Sequence, residues 1–167
     1  MKNNYVRYIF LILTVATAVL IFIMSAQTAT VSSRNSGRVI ESIAKVLVKD
    51  FESYDSIARD LLISQYQNFT RKLAHFLIYA SLGFFSYGFV STYKTLAQRF
   101  CFLISLSFCV FYAGTDELHQ YFVPGRGSMF SDVVLDSFGA VTGILIFMFA
   151  FFIFNRLRGY FNGRKSK

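Results

Sequence analysis

The sequence predicts an all-α, polytopic membrane helical bundle of about four transmembrane helices plus one amphipathic extracytoplasmic helix. Three observations predict it: four stretches from which charge nearly vanishes for a bilayer's length, basic residues gathered in alternate connecting segments, and no ten-residue alternating pattern of a membrane barrel. A chain that is 54% hydrophobic and only 16% charged is too apolar for a soluble domain of 167 residues, so the excess is surface solvated by lipid. Residues 1–167 are read as a single membrane domain.

The first span, Tyr8 to Ala26, is apolar apart from Thr14, Thr17 and Ser25, and as a helix it reaches roughly 28 Å. It is read as a retained anchor, because its apolar run is longer than a signal peptide needs and Ser25-Ala26-Gln27 is a weak cleavage site. The second span runs from Leu73 to Val90 and contains His75; the third runs from Phe100 to Thr115; the fourth, Val133 to Phe154, is interrupted only by Asp136. Helix is the expected form of all four, since backbone polar groups in lipid must be satisfied within the segment.

Between the first two spans lies the outer segment, residues 27–72. Ser32, Ser33, Asn35 and Ser36 are helix-start residues, and Val39, Ile40, Ile43, Val46 and Leu47 follow as an apolar stripe opposite Arg38, Glu41, Lys45 and Lys49. That pattern predicts an amphipathic helix from Ser36 to Lys49, lying on the membrane or capping the bundle. Ile57, Leu61, Leu62 and Gln65 predict a further short helix before the second span.

Orientation follows from the flanks. Lys2 and Arg7 precede the first span, Lys94 and Arg99 separate the second from the third, and Arg156, Arg158, Arg164, Lys165 and Lys167 follow the fourth; none of these segments contains an acid. By the positive-inside tendency they are cytoplasmic, so both termini face the cytoplasm. The net charge of +8 is then membrane anchoring, and nucleic acid is not an expected partner. Cys101 and Cys109, eight residues apart on one helix, sit roughly 12 Å from each other, too far to bridge, and form no metal-binding motif.

Three polar clusters interrupt the apolar background, and the topology places all three at the outer end. In the first, Arg71, His75 and Tyr79 are successive i, i+4 neighbours beside Lys72, a stripe that descends into the membrane. In the second, Asp116 shares a helix face with Gln120, and Glu117 adjoins Asp116; adjacent carboxylates repel, so a cation such as Arg71 or Arg126 is expected beside them. Pro124 and Gly125 predict a turn, and Gly127 leaves the backbone open beside Arg126. In the third, Asp132 and Asp136 are one turn apart, and Gly139 and Gly143 continue near that face as a strip for close helix packing. Asp136 needs a partner, for which Arg71, His75 and Arg126 are the candidates.

On these residues the chain resembles the VanZ-like family, named for a teicoplanin-resistance determinant. The matching strings are Arg71-Lys72 with His75 and Tyr79, then Asp116-Glu117-Leu118-His119-Gln120, Arg126, Asp132, Gly139 and Gly143, together with Ser25-Ala26-Gln27. Asp136 departs from the pattern, since members often carry Asn there, and a second carboxylate raises the need for a counter-ion. The resemblance implies a bacterial envelope protein linked to reduced susceptibility to glycopeptide antibiotics.

Three readings of the clusters follow. In the first, an outward cup binds an anionic lipid-linked envelope component such as a cell-wall precursor. Arg71, Lys72, Arg126 and His75 grip phosphate there, Tyr79, Gln120, Asp132 and Asp136 complete the lining, and aromatic walls accept an acyl or prenyl chain. In the second, the same cup is catalytic, with Glu117 or Asp116 as general base, His75 as acid or base, and Arg71 and Arg126 stabilising developing charge. No cofactor is expected, although Asp116, Glu117, Asp132 and Asp136 offer hard oxygen ligands suited to magnesium or calcium. Ser128 and Ser131 are the loop hydroxyls available as nucleophiles, and no nucleophile elbow, HExxH or P-loop is present. In the third, the polar network only holds together a scaffold or transporter subunit, which with four spans requires a homo-oligomer.

Overall fold

Charge-free runs become helices over nearly the whole chain. In the computed structural model, which describes residues 2–164 and side chains over 4–159, the elements are α1 (Lys2–Ser25), α2 (Ala29–Leu47), a single 3-10 turn (Phe51–Ser53), α3 (Ser56–Val90), α4 (Gln98–Tyr121) and α5 (Phe130–Arg164). No strand occurs among the described residues. Four helices are long and apolar enough to cross a membrane: Asn4–Ser25, Ser56–Val90, Gln98–Tyr121 and Phe130–Gly159. The side chains of Lys2, Arg164, Lys165 and Lys167, used above for orientation, lie outside those described.

All four spanning helices are longer than the apolar runs within them. The short helix expected around Ile57 to Gln65 does not exist separately; it is continuous with the second span in the 35-residue α3, about 52 Å long. The physical reason is local. No glycine or proline stands between Ser56 and Leu82, the polar residues Gln65, Gln67 and Asn68 carry no break, and Asp55 caps the start by accepting from the Ala58 N–H at 2.7 Å. The first half of α3 therefore projects beyond the bundle, where α2 packs on it and Gln67 Nε2 donates to the Ser33 carbonyl at 2.8 Å.

α2 also starts earlier than expected, at Ala29. Ser36 lies inside the helix, where its hydroxyl donates to the Ser32 carbonyl. Only Ile40 of the expected apolar stripe is buried, with Ala44 beside it; Val39, Ile43, Val46 and Leu47 remain exposed.

α3 is the central element, touching every other long helix and packing most extensively on α5. Close approach there requires glycine. A Cβ added at Gly143 would overlap the Ala80 carbonyl, one at Gly139 the Phe76 carbonyl, and one at Gly83 the Ala140 carbonyl. Below the polar clusters, Ile21, Tyr79, Leu82, Cys109, Ala113 and Ala140 form one core, and Tyr87, Val90, Cys101 and Ile144 a second. Both cysteines are free and buried. Tyr112 ties α4 to α1 by donating to the Ala18 carbonyl at 2.6 Å.

The connections sort the charges. At one end Arg7 donates to the Thr92 hydroxyl at 3.2 Å and lies over the Tyr93 ring, which joins the start of α1 to the α3–α4 connection. At the other end the α4–α5 connection meets the end of α1. The turn expected at Pro124-Gly125 is present: Gly125 has φ of 75°, and the Arg126 N–H donates to the Val123 carbonyl at 3.1 Å.

Candidate functional site

The projecting α3, the end of α4 and the start of α5 carry the three polar clusters to one place. Arg71, Lys72, His75, Glu117, Gln120, Asp132, Leu135 and Asp136 line one cleft. Its volume is about 10 Å³, room for a single water-sized group. The expected cup with aromatic walls is therefore not what these residues build. Among the described residues no phenylalanine or tyrosine lines the cleft, and its volume leaves no room for a ligand larger than water.

The cross-helix pairing is specific. Lys72 Nζ lies 3.0 Å from Asp132 Oδ1, with the lysine side chain 44% exposed and the aspartate 16%. Deeper by one turn on both helices, His75 Nδ1 lies 3.6 Å from Asp136 Oδ2, and Asp136 is fully buried. Of the three partners considered for Asp136, His75 occupies that place. Neither Asp136 oxygen makes a hydrogen bond among the described residues.

The neighbouring carboxylates of α4 are satisfied differently from expectation. Among the described residues neither Asp116 nor Glu117 has a cation within ion-pair distance. Asp116 Oδ2 accepts from Gln120 Nε2 at 3.0 Å, which bears out their shared face, and Glu117 Oε2 accepts from the Met129 N–H at 3.0 Å. The roughly 100° between adjacent helix positions points the two acids at different neighbours, so amide donors do what a cation was expected to do.

Arg126 is the second correction. It stands beside the cleft, outside its lining: one guanidinium nitrogen donates to the Ser25 carbonyl at 3.1 Å and another to the Ser32 hydroxyl at 2.9 Å, which clamps the α1–α2 connection. Burial and the nearby Arg71 charge hold its pKa below the ordinary arginine value, against the opposing pull of Asp116 and Glu117. Ser25 and Ser32 were not singled out as site residues by sequence reasoning. The signal available was the Ser25-Ala26-Gln27 string at the end of the first span.

Tyr79 lies below the cleft, fully buried, its phenol oxygen without a partner among the described residues. Arg71 lines the cleft and has no carboxylate within ion-pair distance among the described residues. Asp116, Glu117, Asp132 and Asp136 do not converge as one set of oxygen ligands, since Asp132 is engaged by Lys72 and Glu117 by a backbone N–H.

A far larger cavity, about 900 Å³, opens at the opposite end between Phe10, Tyr87, Gly88, Phe147 and Phe151. Lys94 and Arg156 are its charged members, and no acid or histidine reaches it. Its walls are mainly apolar and aromatic, and the convergent polar chemistry lies at the other end.

No curated protein and no solved structure matches the chain. Residues 10–154, most of the chain and every element of the cleft, match the family described as VanZ/LLP1. The chain, with its four apolar helices and this polar cleft, belongs to the VanZ/LLP1 family of membrane proteins.

Proposed function

We propose that this protein is a multi-pass protein of the bacterial plasma membrane, both termini cytoplasmic, that binds the anionic headgroup of a lipid-linked envelope component at the outer end of its bundle. The observation that carries the reading is the adjacent pair of cations at the mouth of the cleft: Lys72 is held by one carboxylate, and Arg71 by none among the described residues. A phosphate arriving there takes Arg71 directly and competes with Asp132 for Lys72, forming charge-assisted hydrogen bonds. The cleft is too small to admit it, so the headgroup sits on the mouth and its chain lies along the exposed face of α3 that carries Leu73 and Leu77.

Occupying such a component at the membrane surface changes what a glycopeptide antibiotic meets, which is the route by which expression of the protein would lower teicoplanin susceptibility. The test is binding of a labelled polyprenyl phosphate to the protein in nanodiscs, with Arg71→Gln and Lys72→Gln as the variants that lose it. Expression of the same variants in a susceptible host then shows whether susceptibility follows binding.

One observation favours a second reading, a transferase or hydrolase acting on that headgroup. Glu117 and His75 line the same cleft as Arg71 and Lys72, so a base and an acid would lie near a phosphate held at its mouth. Product formation from the labelled lipid, lost in Glu117→Gln while binding persists, separates it from binding alone.

A further inference from the structure

Beneath the cation pair, three side chains able to ligate a cation converge, and the most buried of them lacks the hydrogen bonds such burial demands. One ligand atom each from His75, Asp116 and Asp136 lies within 4.8 Å of the others. Asp136 is fully buried with both oxygens unpartnered, and the Tyr79 phenol oxygen is likewise buried and unpartnered. A carboxylate in such a place is destabilising unless a charge or donor compensates it, and His75 at 3.6 Å lies within ion-pair distance but makes no hydrogen bond to it.

We propose that His75, Asp116 and Asp136 bind a divalent transition-metal cation within the outer end of the bundle. One imidazole nitrogen and two carboxylate oxygens are a mixed donor set that suits Zn²⁺ or Mn²⁺ better than the all-oxygen set of magnesium or calcium. Donors around Zn²⁺ sit about 2.0–2.2 Å from the ion, hence roughly 3.4 Å from each other in a tetrahedron. The three groups reach that spacing by side-chain adjustment from their present separation. The surroundings are those of a ligated site. Gln120 Nε2 orients Asp116 by a 3.0 Å hydrogen bond, as ligating carboxylates are commonly held, and the cleft leaves room for one water as a further ligand. Two of the three nearby cations are engaged elsewhere: Lys72 pairs with Asp132, and Arg126 is turned to Ser25 and Ser32, which leaves Arg71 at the mouth of the cleft. This ligand set differs from the four-carboxylate set read from sequence, because Asp132 and Glu117 are committed elsewhere.

The inference does not depend on the headgroup reading, and one experiment keeps them apart. Full-length protein in nanodiscs is stripped with a chelator and titrated with Zn²⁺, and with Mn²⁺ in parallel, with bound metal measured by elemental analysis. Stoichiometric binding is expected in the wild type and in Lys72→Gln, loss of it in Asp136→Asn and in His75→Gln, and a weakening of about 10- to 100-fold in Gln120→Leu. Co²⁺ loaded into the wild type should show the visible bands of a coordinated nitrogen–oxygen site, a readout independent of whether any variant folds. Substoichiometric metal in the wild type, metal retained by both Asp136→Asn and His75→Gln, or bound Co²⁺ without those bands overturns the proposal.

Discussion

Lys72 Nζ stands 3.0 Å from Asp132 Oδ1 and so joins α3 to the first turn of α5 directly above the buried His75–Asp136 contact. The pair is partly exposed, and ion pairs of that kind contribute about 0–1 kcal/mol. Its two halves therefore have opposite consequences for an anionic ligand. Asp132→Asn releases Lys72 and is expected to tighten binding of a polyprenyl phosphate, whereas Lys72→Gln weakens it, with the thermal midpoint nearly unchanged in both. Equal weakening in both variants would make the pair itself the binding element.

Close packing of α3 on α5 is expected to be intolerant of side chains. Gly143→Val drives a side chain into the Ala80 carbonyl, and overpacking costs about 1–3 kcal/mol or more where backbone cannot move aside. Gly114→Ala is the control, since nothing lies within 4 Å of a Cβ there. Thermal unfolding in detergent should show a lowered midpoint for the first and none for the second.

How far these features were legible depends on range. The cores of the spans are readable because lipid penalises charge at every residue, so the absence of charge over some twenty positions is itself a structural statement. Contacts along one helix were equally readable: Asp116 and Gln120, four apart, meet as the spacing requires. Contacts between helices were not. Whether Asp132 meets Arg71 or Lys72, adjacent residues about 100° apart on α3, is decided by how α3 is rotated against α5, and that rotation is constrained by the close approach at Gly83, Gly139 and Gly143, about two turns or more along the helices from that pair. The fate of Arg126 was hidden for the same reason, because its acceptor at Ser25 is a backbone carbonyl that α1 leaves free at its end, invisible to any reading of side-chain types.

Arg126 is expected to act as a clamp. Arg126→Gln removes two hydrogen bonds from a charged donor, to Ser25 and Ser32, each worth about 1.5–3 kcal/mol. Faster amide exchange confined to the region around residues 25–32 is the predicted signature, with α3–α5 protection unchanged. Lysine should not restore it, since one ammonium cannot reach both acceptors as the guanidinium fork does. Lost ligand affinity with unaltered exchange would return Arg126 to the binding residues.

Buried Asp136 gives a prediction whose sign depends on metal. In chelator-treated protein, Asp136→Asn removes a buried carboxylate that accepts no hydrogen bond among the described residues and is expected to stabilise, by about 1–3 kcal/mol. With saturating Zn²⁺ the wild type gains binding free energy that the variant cannot, and the order of the two thermal midpoints reverses. Midpoints that keep the same order with and without Zn²⁺ would mean that Asp136 is not a ligand.

The most direct test of anion capture at the outer end is equilibrium binding of a labelled polyprenyl phosphate to the full-length protein in nanodiscs of neutral lipid, comparing the wild type with Arg71→Gln/Lys72→Gln. Saturable, salt-sensitive binding by the wild type that falls by at least about tenfold in a folded double variant is the predicted result. Equal affinity in the two proteins, or no preference for the phosphate over a neutral-headgroup analogue of the same chain, would contradict it.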